Sequence, residues 1–163
     1  MKKVMIPILS AGAGVLAGMA AGAGLTKKAS NTEIAKEREM AEKHLALFLM
    51  MNRWVEVKQQ GKSPADYLLT KKYQTIAIYG MSYAGERLVE ELKNSGVTVS
   101  YGIDKKAGGV YSDMEVVSPE DGLREVDAVI VTSIFFMDEI EKALSVKLSC
   151  PVISLEDIFY RTF

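Results

Sequence analysis

From residue 75 onward, short runs of β-forming residues alternate with stretches of helical periodicity, and that alternation leaves few folds open. Thr75-Ile76-Ala77-Ile78-Tyr79, Val97-Thr98-Val99-Ser100-Tyr101-Gly102-Ile103, the short Glu115-Val116-Val117, Val126-Asp127-Ala128-Val129-Ile130-Val131-Thr132 and Pro151-Val152-Ile153 read as strands. Leu88, Val89 and Leu92, residues 136–144, and the segment capped by Ser154-Leu155-Glu156-Asp157 read as helices. Ser118-Pro119-Glu120-Asp121, an N-cap followed by proline, predicts one more helix before the fourth strand. Strands separated by helices are joined by right-handed crossovers, so the prediction is an α/β fold with an open, mostly parallel sheet. The fourth run is apolar throughout except for Asp127, as a strand covered on both faces requires.

The first strand leads into Gly80-Met81-Ser82-Tyr83-Ala84-Gly85 and then a helix, a Rossmann-like arrangement. Glycine lets the backbone turn sharply and approach a phosphate, while free amides at the helix start face the negative charge. In this reading Gly80 makes the turn and Gly85 lets helix and strand pack closely. Ser82 stands where the dinucleotide fingerprint has its middle glycine, so the phosphate contact is looser or falls partly to the Ser82 hydroxyl. Asp104 ends the second strand 24 positions beyond Gly80, close to the spacing of about 20 at which an acid meets ribose hydroxyls. Its bland alternative is a solvated turn acid before Lys105-Lys106. The candidate binding set is Gly80, Ser82, Tyr83 and Gly85 in the loop, Asp104, and Thr132 and Ser133 at the end of the fourth strand, with Phe135 beside them.

Upstream, residues 4–26 carry no charge, and a helix rising about 1.5 Å per residue over that length spans the roughly 30 Å hydrocarbon core of a bilayer. Lys2-Lys3 and Lys27-Lys28 mark its ends. Gly14, Gly18 and Gly22, extended by Ala11, form a small-residue stripe of the kind that lets membrane helices approach, so a homo-oligomer through this face is one expectation and a span without a partner the other. A cleaved signal peptide satisfies the same pattern through Ala21-Gly22-Ala23, although the run is long for one. The expected organisation is a membrane anchor over residues 1–28, a helical connector over 29–72 and the α/β domain over 73–163, single-pass in the cytoplasmic membrane with that domain on the cytoplasmic side.

In the connector, Ser30-Asn31-Thr32-Glu33 reads as a capping box that starts a helix. Ile34, Ala41, Leu45, Phe48 and Val55 form its apolar stripe, widened by Leu47, Met51 and Trp54. That apolar middle needs a cover: the α/β domain first, otherwise a second copy or the membrane surface. Gly61 suits the helix end, and Ser63-Pro64-Ala65-Asp66 starts a short helix to about residue 69. Tyr67 and Lys71 share the spacing of the catalytic pair of short-chain dehydrogenases, but they precede the glycine loop instead of following it, which marks the match as chance.

A formal net charge of -1 provides no field to concentrate DNA or RNA, so nucleic acid is not an expected partner. Cys150 is the only cysteine and reads as a core residue; His44 is the only histidine and has no ligand neighbours at metal spacing, so no metal site is proposed.

Ile-Ala-Ile-Tyr-Gly-x-x-x-x-Gly at 76–85, Tyr-Gly-Ile-Asp at 101–104, Val-Val-Ser-Pro-Glu at 116–120 and Val-Asp-Ala-Val-Ile-Val-Thr at 126–132 resemble a recurrent bacterial domain. It is the Rossmann-like nucleotide-sugar-binding domain at the front of sugar O-acyltransferases, also appended to surface-polysaccharide enzymes. The resemblance covers residues 73–163 and matches Gly80, Ser82 and Gly85 to the family's loop and Asp104 to its strand-end acid. In the acyltransferases chemistry belongs to a following β-helix of hexapeptide repeats, which this sequence lacks, so acyltransferase activity is not implied. A binding loop without an evident catalytic pair leads to the expectation of a non-catalytic, membrane-anchored module that holds a nucleotide or nucleotide-sugar beside polysaccharide machinery. Two other readings stay open: an NAD(P)-dependent oxidoreductase or redox sensor, motivated by Asp104, and a protein-interaction adaptor, motivated by the apolar helix around Trp54. No catalytic pair is legible.

Overall fold

The computed structural model describes the backbone of residues 10–109 and 114–163, and the side chains of residues 32–108 and 114–163. The chain divides into two units, Met1–Leu45 and Ala46–Phe163. The described part of the first belongs to helix α1, Ser10–Gln59. Contrary to the capping-box expectation, α1 runs straight through Ser30. Residues 27–34 contain no glycine or proline to interrupt it, so continuing the helix satisfies the same backbone groups that a cap would. Within this unit Lys43 pairs with Glu39 one turn away, at 2.6 Å, while Ile34 and Leu45 are exposed. Among the described residues no helix is long and apolar enough to cross a membrane. The expected span over residues 4–26, with Gly14, Gly18 and Gly22, lies outside the residues whose side chains are described.

The second unit holds the end of α1, α2 (Pro64–Thr70), α3 (Tyr83–Leu92), α4 (Met137–Leu144) and α5 (Leu155–Arg161). Its strands are β1 (Thr75–Tyr79), β2 (Thr98–Ile103), β3 (Val116–Val117), β4 (Ala128–Val131) and β5 (Val152–Ser154). They form one sheet in the order β3-β2-β1-β4-β5, every pair parallel, as the alternation requires. β2 bulges opposite the step from Ile76 to Ala77, so that Ile76 faces Val99 while Ala77 faces Tyr101.

Successive strand residues point to opposite faces, and each face has its own core. Ile76, Ile78, Ala128 and Ile130 pack with Leu88 and Leu92 of α3, Leu68 of α2, Leu155, Ile158 and Phe159 of α5, and Met50, Trp54 and Val57 of α1. Ala77, Tyr79, Tyr101, Ile103, Val129 and Val131 pack on the other side with Ile140 and Leu144 of α4. Cys150 sits half-buried at the margin of this second core, and burial pushes its thiol up from the usual range.

The α/β domain therefore covers α1 on one stripe alone. Met50, Trp54 and Val57 recur at the helical spacing and are buried, with Leu47 and Met51 packed beside them. Phe48 and Val55 lie about 140° round the helix from the centre of that stripe and stay 66% and 53% exposed, so of the expected apolar face the domain covers Leu47, Met51 and Trp54 and leaves Phe48 and Val55 open.

Two local expectations meet different ends. Ser63 is a true capping-box residue, accepting from Ala65 N at 3.2 Å while its own amide donates to Asp66 Oδ2 at 2.8 Å. Ser118 makes the same pair of bonds, from Glu120 N at 3.2 Å and to Asp121 Oδ2 at 2.9 Å, yet it starts only a turn and not the predicted helix. Gly122 comes within one turn, and the chain must enter β4 six residues later, which leaves no length for a helix to propagate. The helix predicted over 136–144 is α4, entered through a 3-10 turn at Ile134–Phe136.

Trp54 is the sole tryptophan, and its ring lies 5.0 Å from that of the fully buried Phe159, tilted by 36°. Phe159→Ala removes that contact and opens a cavity, so it is expected to destabilise the fold by about 3–5 kcal/mol. Urea unfolding followed by Trp54 emission measures this; a loss below about 1 kcal/mol would mean that the α1–α5 contact does not hold the domain together.

Candidate functional site

The site is set by where the sheet reverses its order. From β1 the chain crosses to β2 on one side; β4 then takes the other side of β1, leaving a crevice above their carboxyl ends. Parallel sheets bind ligands at such a point.

Gly80, the first residue beyond β1, adopts φ +96°, and a Cβ there would lie 2.7 Å from Thr132 Oγ1 and nearer still to Ser133 Oγ. No other residue type fits without displacing the end of β4. At Gly85 a Cβ would overlap the Gly80 carbonyl oxygen, so α3 can sit this close to the loop only with glycine there.

Strands on both sides clamp the loop. The Gly80 amide donates to Ile103 O at 2.8 Å, and the Met81 amide donates to Asp104 Oδ2 at 2.9 Å. From the β4 side the Thr132 hydroxyl donates to Gly80 O at 2.5 Å, with Tyr79 O at 3.2 Å, while the Thr132 amide donates to Tyr79 O at 2.9 Å. The Met81 side chain is buried in the first core, over Gly102, which has no side chain to obstruct it. Two of the sequence-predicted residues, Asp104 and Thr132, thus position the loop. Asp104 also accepts from the Lys106 amide through Oδ1 at 2.8 Å. A carboxylate offers about four lone-pair sites, so about two remain for a ligand.

Gly80, Asp104 and Ser133 meet around a cleft of about 290 Å³, together with Tyr79, Lys105, Phe136 and Ile140. Phe136 rather than Phe135 lines it. Ser82 and Tyr83 lie elsewhere: Ser82 is the N-cap of α3, its hydroxyl makes no capping bond, and Tyr83 is 80% exposed. The amides of the first turn of α3 have no intrahelical acceptor, as at any helix start. Among the described residues no group of three or more His, Cys, Asp or Glu side chains is placed to hold a metal ion.

Tyr79 is the lining residue that sequence reading took for a strand residue alone. Its ring belongs to the second core, and the residue is 6% exposed. Burial holds its phenol above the usual tyrosine range, and the carboxylates of Asp104 and Glu120 push it the same way. The available signal was its position: the last residue of β1, directly before the glycine turn.

Tyr67 and Lys71 lie on and just beyond α2, with Lys71 Nζ 5.9 Å from the Tyr67 ring centre. They border a wider surface groove of about 540 Å³ with Arg161 and Phe163, not the crevice at the strand ends. Burial raises the Tyr67 phenol, whereas a catalytic tyrosine needs a lowered one.

No protein-family model, curated protein or solved structure matches this chain. The role of the cleft therefore rests on its own chemistry: a donor hydroxyl, a carboxylate with spare acceptor capacity, a cationic side chain and an apolar wall.

The folded chain holds Tyr67, Tyr79 and Tyr101 above their ordinary range, with burial the first cause for each. Once pH passes about 10 the unfolded chain binds fewer protons at these positions than the folded one, so stability present below that pH is lost as pH rises through it. The urea midpoint is expected to hold to about pH 9 and fall beyond about pH 10. Tyr79→Phe is expected to shrink that fall; an identical alkaline slope would mean that Tyr79 is not held neutral by its surroundings.

Proposed function

We propose that the α/β domain is a non-catalytic module that binds a nucleotide or nucleotide-sugar in the cleft above β1, β2 and β4. The observation that carries this reading is the meeting of Gly80, Asp104 and Ser133 at the reversal point of the sheet. A volume near 290 Å³ is at the small end of ligand pockets, which run to about 300–1,000 Å³, and suits a mononucleotide-sized group better than a whole dinucleotide. That comparison ranks NAD(P) second, although Asp104 is where a dinucleotide's ribose would be read. The resemblance of residues 73–163 to nucleotide-sugar-binding domains supports the same class of ligand and suggests work beside surface-polysaccharide synthesis.

Anchoring belongs to the proposal as well. The uncharged residues 4–26, bounded by lysine pairs, support a single membrane span, and a nucleotide ligand requires the domain to face the cytoplasm. The adaptor reading is favoured by one observation, the exposure of Phe48, Leu49 and Val55 on α1.

Titration of the full chain with NAD, NADP and UDP-, CMP- and GDP-sugars is expected to give saturable binding to one class. At a ligand concentration near 100 times Kd the fold should gain about 2.7 kcal/mol, visible as a raised Tm. Gly85→Trp, which overfills the contact with Gly80, should abolish the gain. A folded chain whose Tm no nucleotide moves would remove this reading in favour of the adaptor. Membrane attachment is checked separately: the chain should sediment with membranes through high salt and be released by detergent.

A further inference from the structure

We propose that the Tyr79 hydroxyl is the specificity-determining donor of this cleft, and that with the Asp104 carboxylate it selects a ligand carrying vicinal hydroxyls on a sugar ring. The inference rests on the binding reading above and deepens it.

The Tyr79 ring is enclosed, at 6% exposure, yet its hydroxyl donates to no other residue among those described. No fully enclosed polar side-chain atom lacks a partner in the described structure, so this hydroxyl is not sealed in the core, and Tyr79 is one of the residues that line the cleft. A largely buried tyrosine whose hydroxyl makes no hydrogen bond within the protein is uncommon, because core tyrosines ordinarily find a partner. Tyr101 illustrates the ordinary case one strand away, where its hydroxyl donates to Arg124 O at 2.6 Å.

The chemistry around Tyr79 then narrows the ligand. Asp104 lines the same cleft and interacts electrostatically with the Tyr79 phenol, but no hydrogen bond joins them. A donor and an acceptor lining one cleft, each with spare capacity, complement a group that both accepts and donates. A hydroxyl is such a group, and two adjacent hydroxyls on one ring can engage both residues at once. Burial keeps Tyr79 neutral and donating, and the two main-chain amides on Asp104 fix its carboxylate in place. Lys105 adds a positive charge to the lining, and Phe136 and Ile140 add apolar surface. The matching ligand is a phosphorylated molecule with a diol-bearing ring, either the ribose of a nucleotide or the hexose of a sugar phosphate.

The test uses the full chain and Tyr79→Phe, which keeps the ring and removes the oxygen. Probes are AMP, GMP, CMP and UMP, their 2′-deoxy forms, and glucose 1-phosphate. The parent is expected to bind a ribonucleotide or the hexose phosphate, the tighter of the two naming the source of the diol. If the ribose is the source, it should prefer the ribo form over the deoxy form by about tenfold, the value of one hydrogen bond of roughly 1.4 kcal/mol. Tyr79→Phe should bind about tenfold more weakly and, with nucleotides, lose most of the ribose preference, its unfolding midpoint near neutral pH unchanged. Should Tyr79→Phe not fold, the NMR signal of the Tyr79 ring in the unsubstituted chain provides the second reading, and it should shift on adding the best probe. Equal affinity and undiminished ribose preference in Tyr79→Phe, or an unmoved Tyr79 signal at saturation, overturns the role of Tyr79 while leaving the binding cleft standing. Absence of binding by the folded parent to any probe, including those of the preceding titration, overturns both.

Discussion

The carboxyl end of this sheet is organised by a single turn. Gly80 can leave β1 with φ +96° because it lacks a side chain, and the space that a Cβ would need is taken by the hydroxyls of Thr132 and Ser133. That close approach lets Thr132 reach the Gly80 carbonyl, while Asp104 on the opposite strand holds the next amide, that of Met81. The loop is thus tied to β4 by one neighbour and to β2 by the other, and α3 is seated by the contact of Gly85 with the same carbonyl. Gly80, Asp104 and Ser133, which line the cleft, all meet at this turn. Replacing the turn would move the ends of three strands together.

The sheet was legible because its information is local and periodic. Five β-rich runs separated by helical ones predict five parallel strands, and the alternating burial of Ile76, Ala77, Ile78 and Tyr79 reflects the two-residue repeat. Helix boundaries were less legible, and three similar signatures show why. Ser30, Ser63 and Ser118 each precede an acidic residue at the third position, but α1 passes through the first, α2 starts at the second, and the third makes both capping bonds around a turn that goes no further. A cap states that a helix can begin; whether one does depends on the residues around it, in one case a helical run already under way and in another Gly122 and the entry to β4. Likewise the apolar face expected on α1 joins Phe48 and Val55 to Leu47, Met51 and Trp54, and nothing in its pattern indicates that the domain would cover the side of Trp54 and leave Phe48 and Val55 exposed.

The residues around the cleft were legible in outline, through Gly80 and Asp104, whereas the hold that Asp104 and Thr132 have on the turn was not. Spacing identifies an acid at a strand end but not how many of its lone pairs the backbone already uses. Asp104 spends two on amides, and Thr132 spends its hydroxyl on the turn, so part of the expected ligand set is scaffold. Tyr79 was hidden for the complementary reason. In a run of β-formers a tyrosine reads as filler, and only the fold reveals that this one also lines the cleft.

The electrostatics of the cleft bear on whether it binds or reacts. A tyrosine that abstracts or relays protons at neutral pH needs its phenolate stabilised, commonly by a nearby cation. Tyr79 has the reverse surroundings, with burial and the carboxylates of Asp104 and Glu120 all favouring the neutral phenol. Tyr67 has a lysine over its ring and is nonetheless pushed upward by burial. A phenol fixed in its neutral form beside an ordered carboxylate is suited to reading hydroxyl groups, and poorly suited to moving their protons. On that ground neither Tyr79 nor Tyr67 has the surroundings of a catalytic tyrosine, and what Tyr79 offers a ligand is a hydrogen-bond donor.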